Sequence, residues 1–93
     1  MVTAILLINA ERGRVIEVAE ALAEIEGISE VYSVAGRYDL VAILRVRQTE
    51  DMARVVTAEI VKVSGIRETE TLTAFQAYSR HDLEAAFSLG ADD

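Results

Sequence analysis

The sequence predicts an α+β domain built on a four-stranded antiparallel sheet, and three observations lead to this class. Segments with strand and helix periodicity follow one another in the order β-α-β-β-α-β. Two of the segments are amphipathic helices long enough to cover one face of a small sheet. The tetrapeptides Gly27-Ile28-Ser29-Glu30 and Gly65-Ile66-Arg67-Glu68 resemble each other, and each lies where a helix passes into a strand. Two such βαβ halves make a ferredoxin-like fold.

The first half begins with a strand and a helix. Met1–Ala10 is predicted to be a buried strand, because apolar residues occupy both of its faces. Arg14–Glu26 has apolar residues at helical spacing and glutamates opposite them, which predicts an amphipathic helix. Gly27 is expected to end this helix in a left-handed conformation.

The second half repeats this order after a hairpin. Strands are predicted over Glu30–Ala35 and Leu40–Val46. Thr49 is the expected N-cap of a second helix, which Gly65 ends. A long, threonine-rich strand is then predicted over Ile66–Tyr78.

A short helical extension is expected after the last strand. Ser79-Arg80-His81-Asp82 matches a capping box, and Leu83, Ala86 and Phe87 would share one face of the helix that follows. The predicted organisation is therefore a ferredoxin-like domain over residues 1–78 and a C-terminal helical extension over residues 79–93.

Apolar residues on both faces of the predicted strands indicate a second layer of cover. In Leu40–Val46 the even positions form one apolar face, and Val41 and Ile43 place apolar side chains on the other face as well. Ile5 and Leu7 do the same in the first strand. A sheet covered on one side only should alternate apolar with polar residues. Because the two long helices cover one face, we expect a second copy of the chain on the other. The expected assembly is a homodimer of the dimeric α+β barrel type, with higher oligomers built from it.

Composition limits the classes of function. The chain has 93 residues, a net charge of −7 and no cysteine, so disulfides and thiolate metal sites are excluded. Nine scattered basic residues among sixteen acidic ones argue against direct contact with nucleic acid. No apolar run is long enough to cross a membrane, and the start of the chain does not resemble a secretory signal, so a cytoplasmic location is expected.

The stretch Gly36-Arg37-Tyr38-Asp39 concentrates functional groups in a predicted turn. Glycine accepts a positive φ angle, and aspartate can accept a hydrogen bond from its own turn. Arginine, tyrosine and carboxylate side chains within three positions make it a candidate binding site as well as a turn. His81 is the lone histidine, and without partner ligands it is expected to be a first-turn helix residue and not a metal ligand.

The sequence resembles the effector-binding domain of the Lrp/AsnC family of regulators, also called the RAM domain. The resemblance rests on Gly27-Ile28-x-x-Val31, on Val34 to Val41 around the Gly-x-x-Asp hairpin, and on Gly65 to Thr71 at the start of the last strand. It covers about residues 1–78. Family members usually carry an N-terminal helix-turn-helix domain, whereas this sequence opens on the first strand. The resemblance therefore implies a stand-alone sensor domain in transcription regulation.

The resemblance also implies a binding site. In the family, dimers assemble into larger rings and hold a small effector, often an amino acid, between dimers. The effector contacts the Gly-x-x-Asp hairpin and the last strand. On this sequence, the ligand-binding residues implied are Gly36, Arg37, Tyr38, Asp39, Thr69, Thr71, Leu72 and Thr73. Neither cofactor nor metal is implied.

Two alternatives stay open at the level of sequence. Dimeric α+β barrels also include small oxygenases and isomerases, but one histidine, one asparagine and no tryptophan leave few groups for catalysis, so we expect no enzyme. The chain could also be a structural partner that assembles with full-length Lrp/AsnC regulators through a shared sheet face.

Overall fold

The structure, a computed structural model, describes residues 1–78 and 80 of the chain. The helices and strands are β1 (Val2–Ala10), α1 (Val15–Ala23), β2 (Ile28–Ser33), β3 (Leu40–Val46), α2 (Thr49–Arg54) and β4 (Ile66–Ala74). A π-helical turn (Val55–Glu59) and a 3-10 turn (Ile60–Lys62) continue α2. This order confirms the predicted β-α-β-β-α-β succession. The extension predicted over residues 79–93 lies outside the described residues, apart from Arg80.

The four strands form one antiparallel sheet in the order β2-β3-β1-β4. β1 lies in the interior of the sheet. It pairs with β3, from Val2 opposite Val46 to Ile8 opposite Leu40. On its other side, β1 pairs with β4 along nearly its whole length. Each helical crossover therefore joins two strands that are not neighbours. This is the ferredoxin-like arrangement that the sequence predicted.

Both helices pack on one face of the sheet and form the core there. The side chains at even positions of β1 and β3 point to this face. The helical segments contribute Val18 and Leu22 of α1, Met52 of α2 and Val55 of the π-helical turn. The most deeply buried strand residues, each no more than 1% exposed, are Ala4, Leu6, Ile8, Leu40, Ala42 and Leu44. Alternation along β1 and β3 gives the centre of this face its continuous apolar surface.

The opposite face, here called the open face, is also apolar in its centre. Strand register places Ile43, Ile5 and Leu72 in one row across β3, β1 and β4. Val41 and Leu7 extend this apolar patch, and Ile5, Leu7, Val41 and Ile43 are partly buried by their neighbours alone. The predicted two-sided apolar pattern is thus present in the folded chain.

Several predicted boundaries were wrong, and strand pairing explains the differences. β2 covers Ile28–Ser33 instead of Glu30–Ala35, because Ile28 already pairs with Leu44. β4 ends at Ala74 instead of Tyr78, because its last pair is with Thr3 and β1 extends only one residue further.

The helix ends also differ from prediction. α1 covers Val15–Ala23, within the predicted Arg14–Glu26, and residues 24–27 form the turn that leads into β2. The N-cap of α2 is Gln48, in extended conformation, and Thr49 is already the first helical residue.

The second helical segment contains a π-helical turn that the sequence did not predict. Val55 and Ile60 are five residues apart and both are buried, a spacing that a regular α-helix would place on different faces. The wider turn between them returns Ile60 to the core.

Within residues 1–78 and 80, no helix combines the length and the apolar character needed to cross a membrane.

Candidate functional site

The candidate site is the loop between β2 and β3, which contains the Gly36–Asp39 stretch. The backbone N–H of Val34 donates to the carbonyl of Asp39 at 3.0 Å and closes the loop. Gly36 has a φ of +136°, a conformation that side-chain-bearing residues rarely adopt. A Cβ atom at this position would meet no neighbour within 4 Å, so glycine is required here by conformation and not by space.

Asp39 fastens this loop to the end of β1. Its backbone N–H donates to the Ile8 carbonyl at 3.0 Å and to Asn9 Oδ1 at 3.1 Å. Its carboxylate Oδ2 accepts from the backbone N–H of Ala10 at 3.0 Å. The expectation that the carboxylate closes its own turn is therefore corrected, since its partner belongs to β1. One carboxylate can accept further hydrogen bonds, so this contact still leaves acceptor capacity.

Asn9 is part of the same arrangement, and sequence reasoning missed it. The side chain is 6% exposed, its Oδ1 accepts from Asp39, and its Nδ2 donates to Glu68 Oε1 at 3.2 Å. Asn9 thus links the hairpin to β4 across the end of β1. The sequence signal that could have identified Asn9 was a polar residue near the end of an otherwise apolar strand.

Tyr38 makes the second link between the hairpin and β4. Its hydroxyl donates to Glu70 Oε1 at 2.8 Å. This hydrogen bond to the carboxylate raises the pKa of Tyr38, because ionisation would remove the donated proton and place two negative charges together. The exposed guanidinium of Arg37 lies 5.7 Å from the centre of the Tyr38 ring, within the range of a cation–π contact.

The predicted threonines lie on the other side of the sheet from these groups. Thr69, Thr71 and Thr73 pair with Ile8, Leu6 and Ala4, so they share the helix-covered face. Thr69 borders an apolar groove of about 260 Å³ beside the 3-10 turn, together with Ile60 and Ile66. Leu72 instead lies on the open face beside Ile5.

Within one chain the hairpin therefore meets β4 through Glu68 and Glu70 and not through the threonines. At this edge Tyr38 lies between groups of opposite charge, because its ring is near the exposed guanidinium of Arg37 and its hydroxyl donates to the carboxylate of Glu70. Groups of both signs at one edge suit a small ligand that carries both charges. Among the residues that the structure describes, no three His, Cys, Asp or Glu side chains are grouped so as to hold a metal ion.

Comparison with known proteins places this geometry in a family. The model of the Lrp/AsnC ligand-binding domain matches residues 3–83. The chain belongs to the Lrp/AsnC family. A crystal structure of TTHA0845 from Thermus thermophilus superposes with a TM-score of 0.80 at 48% identity, covering 86% of this chain and all of that one. The structure of Escherichia coli AsnC gives a TM-score of 0.78 at 20% identity, covering 84% of this chain and 53% of AsnC. This second likeness concerns the fold alone.

Curated Lrp/AsnC relatives are longer than the part that matches. An uncharacterized HTH-type transcriptional regulator of Pyrococcus horikoshii is 37% identical over 59 residues, which are 63% of this chain and 39% of the regulator. This chain therefore corresponds to less than half of that relative. The relative is named as a transcriptional regulator and not as an enzyme, in agreement with the family of ligand-binding domains to which this chain belongs.

Proposed function

We propose that this Lrp/AsnC domain senses an amino acid or a related small metabolite at the subunit interfaces of a homo-oligomer. The supporting observation is the hairpin, which Asp39 and Asn9 hold against β1, while the exposed Arg37 lies near the ring of Tyr38 and the Tyr38 hydroxyl donates to Glu70. Opposite charges at a fixed loop match the carboxylate and ammonium groups of a zwitterion. Part of the site's geometry is thus present before any ligand binds.

The proposed pocket combines residues of two copies. One copy contributes Gly36, Arg37, Tyr38 and Asp39, and a neighbouring copy contributes the last strand. The register of β4 supports this division, because the threonines lie on the face away from their own hairpin. In this arrangement, binding changes the affinity of one copy for another, which is the basis of a regulatory signal.

The open face provides the first contact between copies. Its central row of Ile43, Ile5 and Leu72 is apolar, and burial of such surface stabilises association by about 25 cal/mol per Å². Arg45 and Glu30 form an ion pair of 2.9 Å beside this row. We propose that two copies pack sheet to sheet, and that these dimers associate further.

The test of effector binding is a thermal-shift panel of the twenty common amino acids. A ligand at a hundredfold its Kd should add about 2.7 kcal/mol to the free energy of unfolding. Titration calorimetry with the best ligand should show weaker binding by Arg37→Gln, which removes the exposed charge. Arg47→Gln, at the other end of β3, is the matched control and should bind normally. A flat panel, or equal loss in both variants, would contradict the proposal.

A second candidate function is co-assembly with longer regulators of the family. The difference in length between this chain and the Pyrococcus horikoshii regulator favours it, since the regulator contains the matched part and additional sequence. Mixed oligomers would form through the same open face. Pull-down of a full-length Lrp/AsnC protein from the source cells, lost on Ile5→Lys, would support co-assembly. Recovery of this chain alone would reject it.

A further inference from the structure

A second cleft lies at the opposite end of β3 from the hairpin. The hairpin precedes Leu40, whereas this cleft follows Val46, so the two are separated by the length of the strand, about 20 Å. The cleft has a volume of about 350 Å³. It is lined by Glu26, Gly27, Arg45, Val46, Arg47, Asp51 and Arg54.

The cleft gathers arginines in an acidic chain. Three of the nine basic residues line it, although the net charge of the chain is −7. Two acidic residues, Glu26 and Asp51, line it as well. The lining residues carry one net positive charge, which Glu30, the ion-pair partner of Arg45, offsets, so a ligand would depend on the donors that Arg47 and Arg54 leave free.

The three guanidinium groups differ in how firmly they are held. Arg45 Nη1 donates to Ser29 Oγ at 2.7 Å and to Glu30 Oε1 at 2.9 Å, so its charge is largely compensated. Arg54 Nη2 lies 3.7 Å from Asp51 Oδ1, a loose pair with Arg54 57% exposed. Arg47 is exposed and forms no ion pair with any described residue. Arg47 and Arg54 therefore keep free donors toward a ligand.

We propose that this cleft is a second ligand site, which binds a small phosphate-bearing anion through Arg47 and Arg54. A guanidinium presents two parallel donors that match two oxygens of a phosphate group. A dianion also carries enough charge to compete with Asp51 for Arg54, which a single carboxylate does less well. The volume fits a small metabolite, and the acidic chain disfavours a long nucleic-acid backbone.

The site is tested by titration calorimetry with pyrophosphate and inorganic phosphate at constant ionic strength maintained with chloride. Pyrophosphate should bind the unmodified protein, and its Kd should rise about tenfold in Arg47→Gln and in Arg54→Gln. Arg47→Lys, which keeps the charge but not the paired donors, should show an intermediate loss. Arg37→Gln is the matched control at the hairpin and should leave the Kd unchanged.

The outcomes separate this site from the proposed effector site. Equal pyrophosphate affinity in all four variants would overturn the anion site. A titration with pyrophosphate that releases no more heat than a titration with chloride would overturn it as well. Succinate binding as tightly as phosphate would overturn the assignment to phosphate. Amino-acid binding should weaken in Arg37→Gln and stay unchanged in Arg47→Gln. Failure of either proposed site is therefore detected independently of the other.

Discussion

The two faces of the sheet have the same apolar character but different surroundings. Leu6 points toward the helices and is 1% exposed, whereas its neighbour Leu7 points to the open face and is only partly buried. Both residues belong to one strand and have identical side chains. The difference shows that the helices complete one face only. The other face carries apolar surface that no described element covers, which supports the proposed association of two copies through it.

The largest expected effect comes from the helix-covered face. Leu6→Ala should lower the free energy of unfolding by about 2–5 kcal/mol, because it leaves a cavity among fully buried side chains. Urea denaturation measures this loss, and Leu6→Met, which preserves volume, should cost less than about 1.5 kcal/mol.

Leu7→Ala is the matched substitution on the open face. At protein concentrations too low for association it should cost less than Leu6→Ala, about 1–2 kcal/mol, since Leu7 is partly exposed. At higher concentrations its cost should grow as the dimer of the unmodified protein is stabilised by mass action. Equal, concentration-independent losses in the two variants would contradict the distinction between the faces.

Two glycines allow a second comparison between a closely packed region and an open one. Gly27 has a φ of +105°, and a Cβ atom there would lie 3.1 Å from Leu44 and Val46 side-chain atoms. Gly36 has a similar conformational demand but open space around it. Gly36→Ala should therefore cost about 1 kcal/mol from backbone strain alone, and Gly27→Ala an additional ~1–3 kcal/mol from crowding. Thermal unfolding of both variants measures the difference, and a greater loss for Gly36→Ala would refute this account.

The smallest expected effect concerns pH at the hairpin. The Tyr38 pKa is raised by its hydrogen bond to Glu70, so the folded chain holds this proton more tightly than the unfolded chain does. The resulting stabilisation is fully present below the ordinary tyrosine pKa of about 10 and is lost as pH rises through the folded-state value. The melting temperature of Tyr38→Phe should thus lie slightly below that of the unmodified protein at neutral pH, and the gap should close in alkaline solution.

Tyr78→Phe is the control for this pH experiment. Tyr78 is 80% exposed and lies beyond the end of β4. This substitution should leave the melting temperature unchanged at neutral pH. A gap for Tyr38→Phe that stays constant with rising pH would show that the Tyr38–Glu70 bond does not contribute.

The sequence predicted the fold from local signals that survive in the structure. Alternation in β3 gave its bounds, Leu40–Val46. Gly27 has the predicted positive φ angle, and Gly65 has one as well, but neither glycine ends its helix, since α1 ends at Ala23 and the 3-10 turn at Lys62. The end of β4 was not predictable in this way, because it depends on where the pairing of β4 with β1 ends. The π-helical turn likewise depends on the core position of Ile60.

The candidate site was predictable only in part. The Gly-x-x-Asp pattern identified the hairpin, but the partner of Asp39 is 29 residues away on β1, a contact that no local pattern contains. Periodicity placed Thr69, Thr71 and Thr73 on one common face. Only the pairing with Ile8, Leu6 and Ala4 determines that this is the helix-covered face. The contribution of these threonines to a ligand site remains a proposal that depends on a neighbouring copy.

Association through the open face is the central claim, and the mass of the protein in solution tests it most directly. Light scattering at micromolar concentration should give at least twice the monomer mass of 10.2 kDa. Ile5→Lys places a charge in the central apolar row and should give the monomer mass, whereas Ile16→Lys, at a 76% exposed position on α1, should not change it. A monomer mass for the unmodified protein, or an Ile5→Lys variant that still associates, would contradict the claim.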